Sequence, residues 1–326
     1  MGEGVLTAAA DPSALLADAG LVRREGELAL GGVPLRAIAE AHGTPTYAYN
    51  AEVVRGQFGR LDRALAPVPH RICFAVKANG NLGVLRVLRD LGAGADIVSV
   101  GEMHRALAAG FAPAHIVFSG VGKRADELRA AVRAGVGHVN VESLDELALL
   151  GEVAREEDRR VAVGIRVNPD VTAETHPYIS TGRSGIKFGV PIDQALPAAA
   201  SLRGHPHLEL VALAMHIGSQ LTDVAPYVQG ARRMAELVEA VRARGVDTLR
   251  AIDLGGGLGI RYLDETPIDP ADYAAAVLPI VAPLGLELYV EPGRFLVGSA
   301  GVLVTRVLYR KHSGGKEFVI VDAGMN

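Results

Sequence analysis

The sequence predicts an α/β protein built around a (β/α)8 barrel of the TIM type. Eight short apolar runs recur between residues 72 and 290, and helical patterns separate them. Polar residues and glycines directly follow these runs, as expected where the strands of such a barrel end at one rim. Eight strand–helix units over about 220 residues are close to what this fold requires. A doubly wound open sheet is the alternative that this pattern leaves.

The predicted elements alternate regularly along the chain. Ahead of the barrel, the run Glu27-Leu28-Ala29-Leu30 and a Gly31-Gly32 turn predict a short strand before a helix over residues 35–42. Asn50 is placed to cap the helix that follows. The predicted barrel strands are residues 72–76, 95–98, 116–118, 138–141, 161–167, 210–216, 251–254 and 286–290. The predicted helices are residues 82–91, 102–109, 125–134, 144–156, 192–202, 227–244 and 270–281.

Several helix ends carry their own signals. Ser143 and Glu146 have the spacing of a capping box, in which each side chain accepts a backbone N–H of the other residue. Gly92, Gly135 and Gly245 stand where helices are expected to end. These signals support the predicted helix boundaries.

Composition narrows the possible classes of function. The 326 residues are 49% hydrophobic, which is enough for a large core. The formal charge of -4 is spread along the chain without a basic stripe, so nucleic acid is not an expected partner. The single cysteine, Cys73, is expected in the core, and one cysteine cannot form an intrachain disulfide. No secretory signal or membrane-spanning run is recognisable, so we expect a cytoplasmic protein without a membrane partner.

Lys77 directly follows the first predicted strand. In extended backbone Cys73, Ala75 and Lys77 share one face, and the small residues leave space there for a ligand. Burial is expected to lower the pKa of the Lys77 ammonium and to favour the neutral, nucleophilic amine. The alternative is a strand-end lysine that reaches into solvent.

Two motifs follow the last two predicted strands. Gly255-Gly256-Gly257-Leu258-Gly259 offers backbone N–H groups that an anion can approach closely, or else forms a tight turn into a helix. Glu291-Pro292-Gly293-Arg294 places an acid at the strand end, where it could keep a ring nitrogen protonated. Arg294 could clamp a carboxylate or a phosphate. A surface ion pair is the alternative for this second motif.

Further polar residues are expected at the same rim, among them Asp96 and Glu142. His216, at the end of the sixth strand, could stack its flat ring on a planar cofactor, and Ser219 offers a hydroxyl to a phosphate. A hydrogen-bonded core histidine is the alternative. Arg166 is either a cation facing the rim or an ordinary side chain that extends to solvent.

Two other stretches contain residues that could have a function. Residues 168–189 form a long polar segment between the fifth and sixth strands, which we interpret as a lid or substrate loop, with a surface insertion as the alternative. His205 and His207 flank a proline without a cysteine or carboxylate set at metal spacing, so no metal site is predicted.

Taken together, the motifs resemble the diaminopimelate decarboxylases. These are fold-type III pyridoxal-phosphate enzymes related to ornithine decarboxylase and alanine racemase. The resemblance runs from about Gly31 to the last residue and is carried by several motifs in order. They are Phe74-Ala75-Val76-Lys77-Ala78-Asn79, Arg166-Val167-Asn168-Pro169, Thr175-His176, Thr181-Gly182, Lys187-Phe188-Gly189, His216-Ile217-Gly218-Ser219-Gln220, Gly255-Gly256-Gly257-Leu258-Gly259, Glu291-Pro292-Gly293-Arg294 and Asp322-Ala323-Gly324-Met325-Asn326.

The resemblance implies a cofactor, a reaction and a set of site residues. Pyridoxal 5'-phosphate would be held as a Schiff base on Lys77, with His216 stacked on its ring and Glu291 paired with the ring nitrogen. The reaction would convert meso-2,6-diaminopimelate to L-lysine and CO2, in a homodimer with active sites at the interface. Alanine racemase places an arginine at the ring nitrogen, so an acid there favours decarboxylation. The remaining cofactor contacts would come from Asp96, Arg166, Ser219, Gly256, Gly257, Pro292, Gly293 and Arg294, and Arg294 would also bind substrate.

The resemblance also implies the domain organisation. Residues 1–43 would contribute a strand to a β-rich domain, residues 44–300 would form the cofactor-binding barrel, and residues 301–326 would begin the C-terminal β domain. Family members continue beyond this point through a Cys-Glu-Ser motif and a late tyrosine. We therefore expect the second domain to be incomplete here, with weak cofactor binding or poor turnover as the consequence.

Two alternatives for the function stay open at this point. One is a related decarboxylase that acts on ornithine, arginine, carboxynorspermidine or a carrier-bound amino acid. The other is a pyridoxal-phosphate binder without catalytic activity. The resemblance places the groups that read the far end of the substrate partly in the segment by which family members extend beyond residue 326, so the substrate stays open.

Overall fold

A computed structural model describes residues 12–171 and 187–324 of the chain. The strands, in chain order, are β1 (Leu21–Arg24), β2 (Glu27–Leu30), β3 (Val33–Pro34), β4 (Thr46–Tyr49), β5 (His70–Ala75), β6 (Gly94–Ile97), β7 (Ile116–Phe118), β8 (His138–Val141), β9 (Val161–Asn168), β10 (Val190–Pro191), β11 (Leu208–Met215), β12 (Ala251–Asp253), β13 (Glu287–Val290), β14 (Gly301–Val304), β15 (Val307–Ser313) and β16 (Lys316–Val321). The helices are α1 (Pro12–Asp18), α2 (Leu35–His42), α3 (Ala51–Leu65), α4 (Leu82–Asp90), α5 (Val100–Ala109), α6 (Ala125–Ala134), α7 (Leu144–Glu156), α8 (Ile192–Ser201), α9 (Ala225–Ala243), α10 (Pro270–Val281) and α11 (Arg294–Val297).

Eight of these strands form a closed parallel barrel. Their order is β5, β6, β7, β8, β9, β11, β12 and β13, and β13 returns to pair with β5. Leu288 faces His70 at that contact, and Val139 faces Val163 where β8 meets β9. The predicted (β/α)8 barrel is confirmed, and the open-sheet alternative is wrong. β10 adds a two-residue edge beside β9.

The helix ends follow the local signals in the sequence. The Asn50 side chain accepts a hydrogen bond from the backbone N–H of Glu52 at 3.0 Å, as expected of a helix N-cap. Gly135 ends α6 in the left-handed conformation, at φ 71°. The predicted helices 125–134, 144–156 and 270–281 coincide with α6, α7 and α10.

Only one of the two hydrogen bonds of the predicted capping box is formed at the start of α7. Ser143 Oγ accepts the N–H of Glu146 at 3.1 Å, as predicted. Glu146, however, accepts the N–H of Glu142 at 2.9 Å, and its other oxygen pairs with the buried Lys123. The reciprocal half of the box is wrong because the buried ammonium takes up the Glu146 carboxylate.

The apolar core lies between the barrel and the surrounding helices. Phe74 and Phe118 on the strands and Leu85 and Leu88 on α4 are all fully buried in it. Burying one such side chain contributes roughly 1.5–3 kcal/mol. Cys73 is buried as predicted, and its burial raises the pKa of the thiol well above its usual value.

Smaller sheets lie outside the barrel. β1, β2 and β3 form an antiparallel sheet, β4 pairs with β14, and β15 pairs with β16. The β15–β16 hairpin exposes Tyr309, Phe318 and Val319. Across residues 12–171 and 187–324, no helix is both long and apolar enough to cross a membrane.

Candidate active site

The carboxyl-terminal rim of the barrel encloses a cavity of about 600 Å³ that collects most of the predicted site residues. Gly256 and Pro292 lie beside it, at a smaller adjoining void. A larger groove of about 740 Å³, between α7 and α8 on the outside of the barrel, is mostly apolar. We place the site in the rim cavity because titratable groups converge there. Its predicted lining residues are Lys77, Asp96, Arg166, His216, Ser219, Gly257, Glu291, Gly293 and Arg294.

Lys77 lies in a short 3-10 turn, Val76–Ala78, directly after β5. Its Nζ donates to Asp96 Oδ2 at 2.8 Å, and Asp96 is fully buried. Burial by itself lowers the pKa of Lys77. The carboxylates of Asp96 and Glu291 together raise that pKa by more, so it lies above its usual value. The expected low pKa is therefore wrong for the protein without cofactor, because burial was weighed without these acids. Lys77 nevertheless lines the cavity.

A pair of buried carboxyl groups lies at the floor of the cavity. Asp253 ends β12 and accepts the N–H of Gly255 at 2.7 Å, and its carboxyl interacts with that of Glu291. Burial raises the pKa of Asp253 to about 6. Burial and then the neighbouring Asp253 raise the pKa of Glu291 well above its usual range. The pair therefore retains a proton in the protein without cofactor.

Three carboxylate oxygens in this region lack a hydrogen-bond partner among the residues that the structure describes. They are Oδ1 of Asp96, Oδ2 of Asp253 and Oε1 of Glu291, all buried. An unpaired buried acceptor costs free energy unless a ligand or water satisfies it. Glu291 Oε1 thus offers an acceptor to a ring N–H placed in the cavity. This burial is incompatible with the surface ion pair considered for Glu291.

His216 follows β11 and its Nδ1 accepts the backbone N–H of Gly256 at 3.2 Å. This hydrogen bond places the proton of the neutral ring on Nε2. Burial lowers the pKa of His216 well below 6.5, and the charges of Arg166 and Lys77 lower it further. The ring is therefore uncharged and held at the wall of the cavity, where Ser219 also lies.

Close packing requires glycine in the loop after β12. Gly257 has φ +112°, and a Cβ there would lie 2.5 Å from the carbonyl oxygen of Gly218. A Cβ on Gly256 would lie 2.1 Å from the carbonyl oxygen of Glu291. No helix follows the loop until Pro270, so the alternative of a turn entering a helix is wrong. The loop instead brings backbone against the cavity.

Arg166 points into the cavity and is largely buried. Its Nη1 donates to Glu142 Oε1 at 2.8 Å, and its guanidinium lies 5.3 Å from the centre of the Phe188 ring. Only 12% of the Arg166 side chain is exposed, so the alternative of a side chain extending to solvent is wrong. Sequence reasoning placed Glu142 at the rim but gave it no role.

Arg294 lies at the mouth of the cavity beside Tyr262. Its Nη1 donates to the Tyr262 hydroxyl, and its guanidinium lies 5.5 Å from the centre of the tyrosine ring. Tyr262 follows the glycine loop, and sequence reasoning missed it because aromatic contacts of an exposed loop leave no periodic signal. The guanidinium remains accessible to an anionic ligand because it lines the cavity.

Some sequence predictions lie outside the described residues. The lid or substrate loop over residues 168–189 falls mostly on residues 172–186. The motifs Thr175-His176 and Thr181-Gly182, and the last two residues Met325 and Asn326, also lie outside them. The predictions for these residues stay predictions.

Comparison with known proteins identifies the family. A family model described as "Pyridoxal-dependent decarboxylase, pyridoxal binding domain" matches residues 51–298. The diaminopimelate decarboxylase of Pseudomonas aeruginosa is 50% identical over 303 residues, covering 93% of this chain and 73% of that enzyme. The chain belongs to the diaminopimelate decarboxylase family. The Vibrio cholerae diaminopimelate decarboxylase is 44% identical, with the same two coverages.

A solved structure supports the same family at the level of the fold. The crystal structure of diaminopimelate decarboxylase from Helicobacter pylori, complexed with L-lysine, matches with a TM-score of 0.86 and 41% identity. The match covers 89% of this chain and 73% of that one. The resemblance inferred from the motifs is confirmed.

The cavity fits pyridoxal phosphate, the cofactor of the diaminopimelate decarboxylase family. Lys77 supplies an amine, and the buried Oε1 of Glu291 supplies an unpaired acceptor for a ring N–H. The positive φ of Gly257 and the close approach of Gly293 to Ala75 and Ala78 leave no room for larger side chains. These features match the amine, acid and closely approaching backbone that such a cofactor requires.

Proposed function

We propose that this protein decarboxylates meso-2,6-diaminopimelate to L-lysine and CO2 in lysine biosynthesis, with pyridoxal phosphate as cofactor. The observation that carries the proposal is that the Lys77 amine and the buried Glu291 carboxyl share one cavity. The charge of Glu291 also raises the pKa of Lys77. Family membership and relatives named diaminopimelate decarboxylase at 41–50% identity support this function.

We propose the following roles for the site residues. The Lys77 amine would hold the cofactor. Glu291 would pair with the ring nitrogen, and the uncharged His216 ring would stack on the cofactor. Asp96 orients the Lys77 amine through the 2.8 Å hydrogen bond. The phosphate, the phenolic oxygen and the substrate carboxylate are contacted by Arg166, Ser219, Gly256, Gly257, Pro292, Gly293 and Arg294.

The chemistry follows from how these residues hold protons. The bound cofactor supplies an electron sink for the pair released when the carboxylate leaves as CO2. Glu291 would hold a proton at its Oε1 for the ring nitrogen, which would keep that sink strong. Arg294 at the cavity mouth offers two parallel N–H donors to a carboxylate of the substrate. A dicarboxylic substrate such as diaminopimelate has a second carboxylate for such a site, whereas ornithine has only one.

We propose a cytoplasmic homodimer for the assembly. A single buried cysteine excludes an intrachain disulfide and is compatible with a reducing compartment. Residues 1–43, 44–300 and 301–326 are proposed as the three parts of the chain. In the last of these, β14 begins by pairing with β4.

A substrate panel tests the proposed function. The purified chain, supplied with pyridoxal phosphate, is assayed for CO2 release and for the amine product with meso-diaminopimelate, ornithine and arginine. The expected result is L-lysine from meso-diaminopimelate, little release from the other two, and none with Lys77→Ala. Release from ornithine but not from meso-diaminopimelate would contradict the proposed substrate, and a spectrum of bound cofactor with no release would favour a non-catalytic binder.

A further inference from the structure

We propose that Glu142 is a positioning residue, whose carboxylate holds the Arg166 guanidinium in the cavity and fixes two rim loops around it. The proposal deepens the proposed function and rests on it, since it concerns how tightly the chain holds pyridoxal phosphate. Glu142 directly follows β8 and does not itself line the cavity. It would therefore act through Arg166 and not on the reacting atoms.

The Glu142 carboxylate receives hydrogen bonds from three separate parts of the rim. Oε1 accepts Nη1 of Arg166 and the N–H of Gly120, each at 2.8 Å. Oε2 accepts the N–H of Gly189 at 3.1 Å. The Glu142 side chain is 1% exposed. One buried carboxylate thus joins the loop after β7, strand β9 and the chain entering β10.

The backbone conformations of the two N–H donors, Gly120 and Gly189, suit this contact. Gly120 has φ +103° and Gly189 has φ +74°, conformations that L side chains rarely adopt. A Cβ on Gly189 would lie 2.7 Å from the backbone nitrogen of Asn168. Glycine at both positions lets the chain turn its N–H toward Glu142. The hydrogen bonds to Glu142 therefore depend on backbone conformation as well as on charge.

A second layer of contacts fixes Glu142 itself. Its backbone N–H donates to Glu146 Oε2 at 2.9 Å, and Glu146 Oε1 pairs with the buried Nζ of Lys123. Lys123 in turn donates to the carbonyl oxygens of Gly120 and Asn140, each at 2.7 Å. Such a network restricts the carboxylate to one orientation. Arg166 therefore meets a fixed acceptor.

The position of Arg166 matters because its charge reaches the other cavity groups. It acts on the pKa values of both His216 and Lys77. Phe188 packs on the guanidinium, Glu142 accepts from its Nη1, and Arg166 lines the cavity. Loss of the carboxylate would free this long side chain and leave buried donors unpaired.

Replacement of Glu142 by glutamine tests the proposal in the full chain. Either orientation of the new amide sets an NH2 group against an N–H donor, since both carboxylate oxygens accept hydrogen bonds. We expect the dissociation constant for pyridoxal phosphate, measured by titration of its absorbance, to rise about 10- to 100-fold. Glu152→Gln, on the exposed face of α7, makes the same chemical change and should leave that constant unchanged.

A double-mutant cycle separates positioning from general loss of structure. If Glu142 acts through Arg166, Glu142→Gln combined with Arg166→Gln should weaken cofactor binding about as much as Arg166→Gln alone. If the factors by which the two single substitutions raise the dissociation constant multiply in full in the double variant, the proposal is overturned. Wild-type affinity in Glu142→Gln would also overturn it. A wild-type chain that binds no pyridoxal phosphate would instead overturn the proposed function.

A conservative variant keeps the test valid if the glutamine variant unfolds. Glu142→Asp retains the charge but withdraws it by one methylene, so it cannot reach all three donors at once. We expect its cofactor affinity to lie between those of the wild type and Glu142→Gln, with a melting temperature that still permits titration. Wild-type affinity in this variant would contradict the proposed geometry.

Discussion

Replacing Asp253 with asparagine is expected to change how the stability of the cofactor-free protein depends on pH. Asp253 is fully buried, and its carboxyl interacts with that of Glu291. Burial raises the pKa of Asp253 from 3.8 to about 6. Asparagine has nearly the same shape, can still accept the Gly255 N–H, and can donate to Glu291 without carrying a charge.

The magnitude follows from the raised pKa. A carboxyl whose pKa is higher in the folded than in the unfolded state stabilises the fold most at low pH. That contribution is complete below about pH 3.8 and is lost as the pH rises through about 6. A shift of about 2 pH units corresponds to about 3 kcal/mol in full, of which roughly half is lost between about pH 5 and 7.5. The Asp253→Asn variant lacks this loss.

Urea unfolding at the two pH values measures this effect. The free energy of unfolding of Asp253→Asn minus that of the wild type should rise by roughly 1 kcal/mol from about pH 5 to 7.5. Asp247→Asn, at an exposed position just before β12, should give the same difference at both pH values. An Asp253→Asn difference that stays constant or falls with rising pH would refute the protonated carboxyl pair.

Two further substitutions test the glycine loop and the cavity mouth. Gly257→Ala should lower the free energy of unfolding by about 1–3 kcal/mol and weaken cofactor binding, because its Cβ would overlap the Gly218 carbonyl at a positive φ. Thermal melting and cofactor titration check this, and Gly56→Ala, with nothing within 4 Å, should not be destabilising. Tyr262→Phe keeps the ring beside Arg294 but removes the hydroxyl, so KM for meso-diaminopimelate should rise about 2- to 5-fold with little change in kcat. Steady-state kinetics would contradict this if kcat alone fell.

The barrel and its rim could be predicted because they depend on order along the chain. Short apolar runs separated by helical patterns indicate the strands, and parallel strands bring their carboxyl ends to the same rim. Lys77 after the first strand and Glu291 after the last were therefore expected to be neighbours, since the barrel closes between β5 and β13. Local signals such as Asn50 and Gly135 set the helix ends for the same reason.

The rest depends on side-chain contacts between distant segments. Asp253 and Glu291 are 38 positions apart, and the interaction of their carboxyl groups depends on side-chain conformations that strand patterns do not specify. The predicted direction of the Lys77 pKa was wrong because the carboxylates of Asp96, on the next strand, and Glu291 together outweigh burial. Glu142 was placed at the rim, but its three donors come from loops that carry no periodicity.

The attachment point of the cofactor is the most direct test of the proposed mechanism. The chain is incubated with pyridoxal phosphate, reduced with borohydride, digested and analysed by mass spectrometry. The proposal predicts the reduced cofactor on Lys77, with Lys123 and Lys187 unmodified. Reduced cofactor on another lysine, or on none, would contradict it.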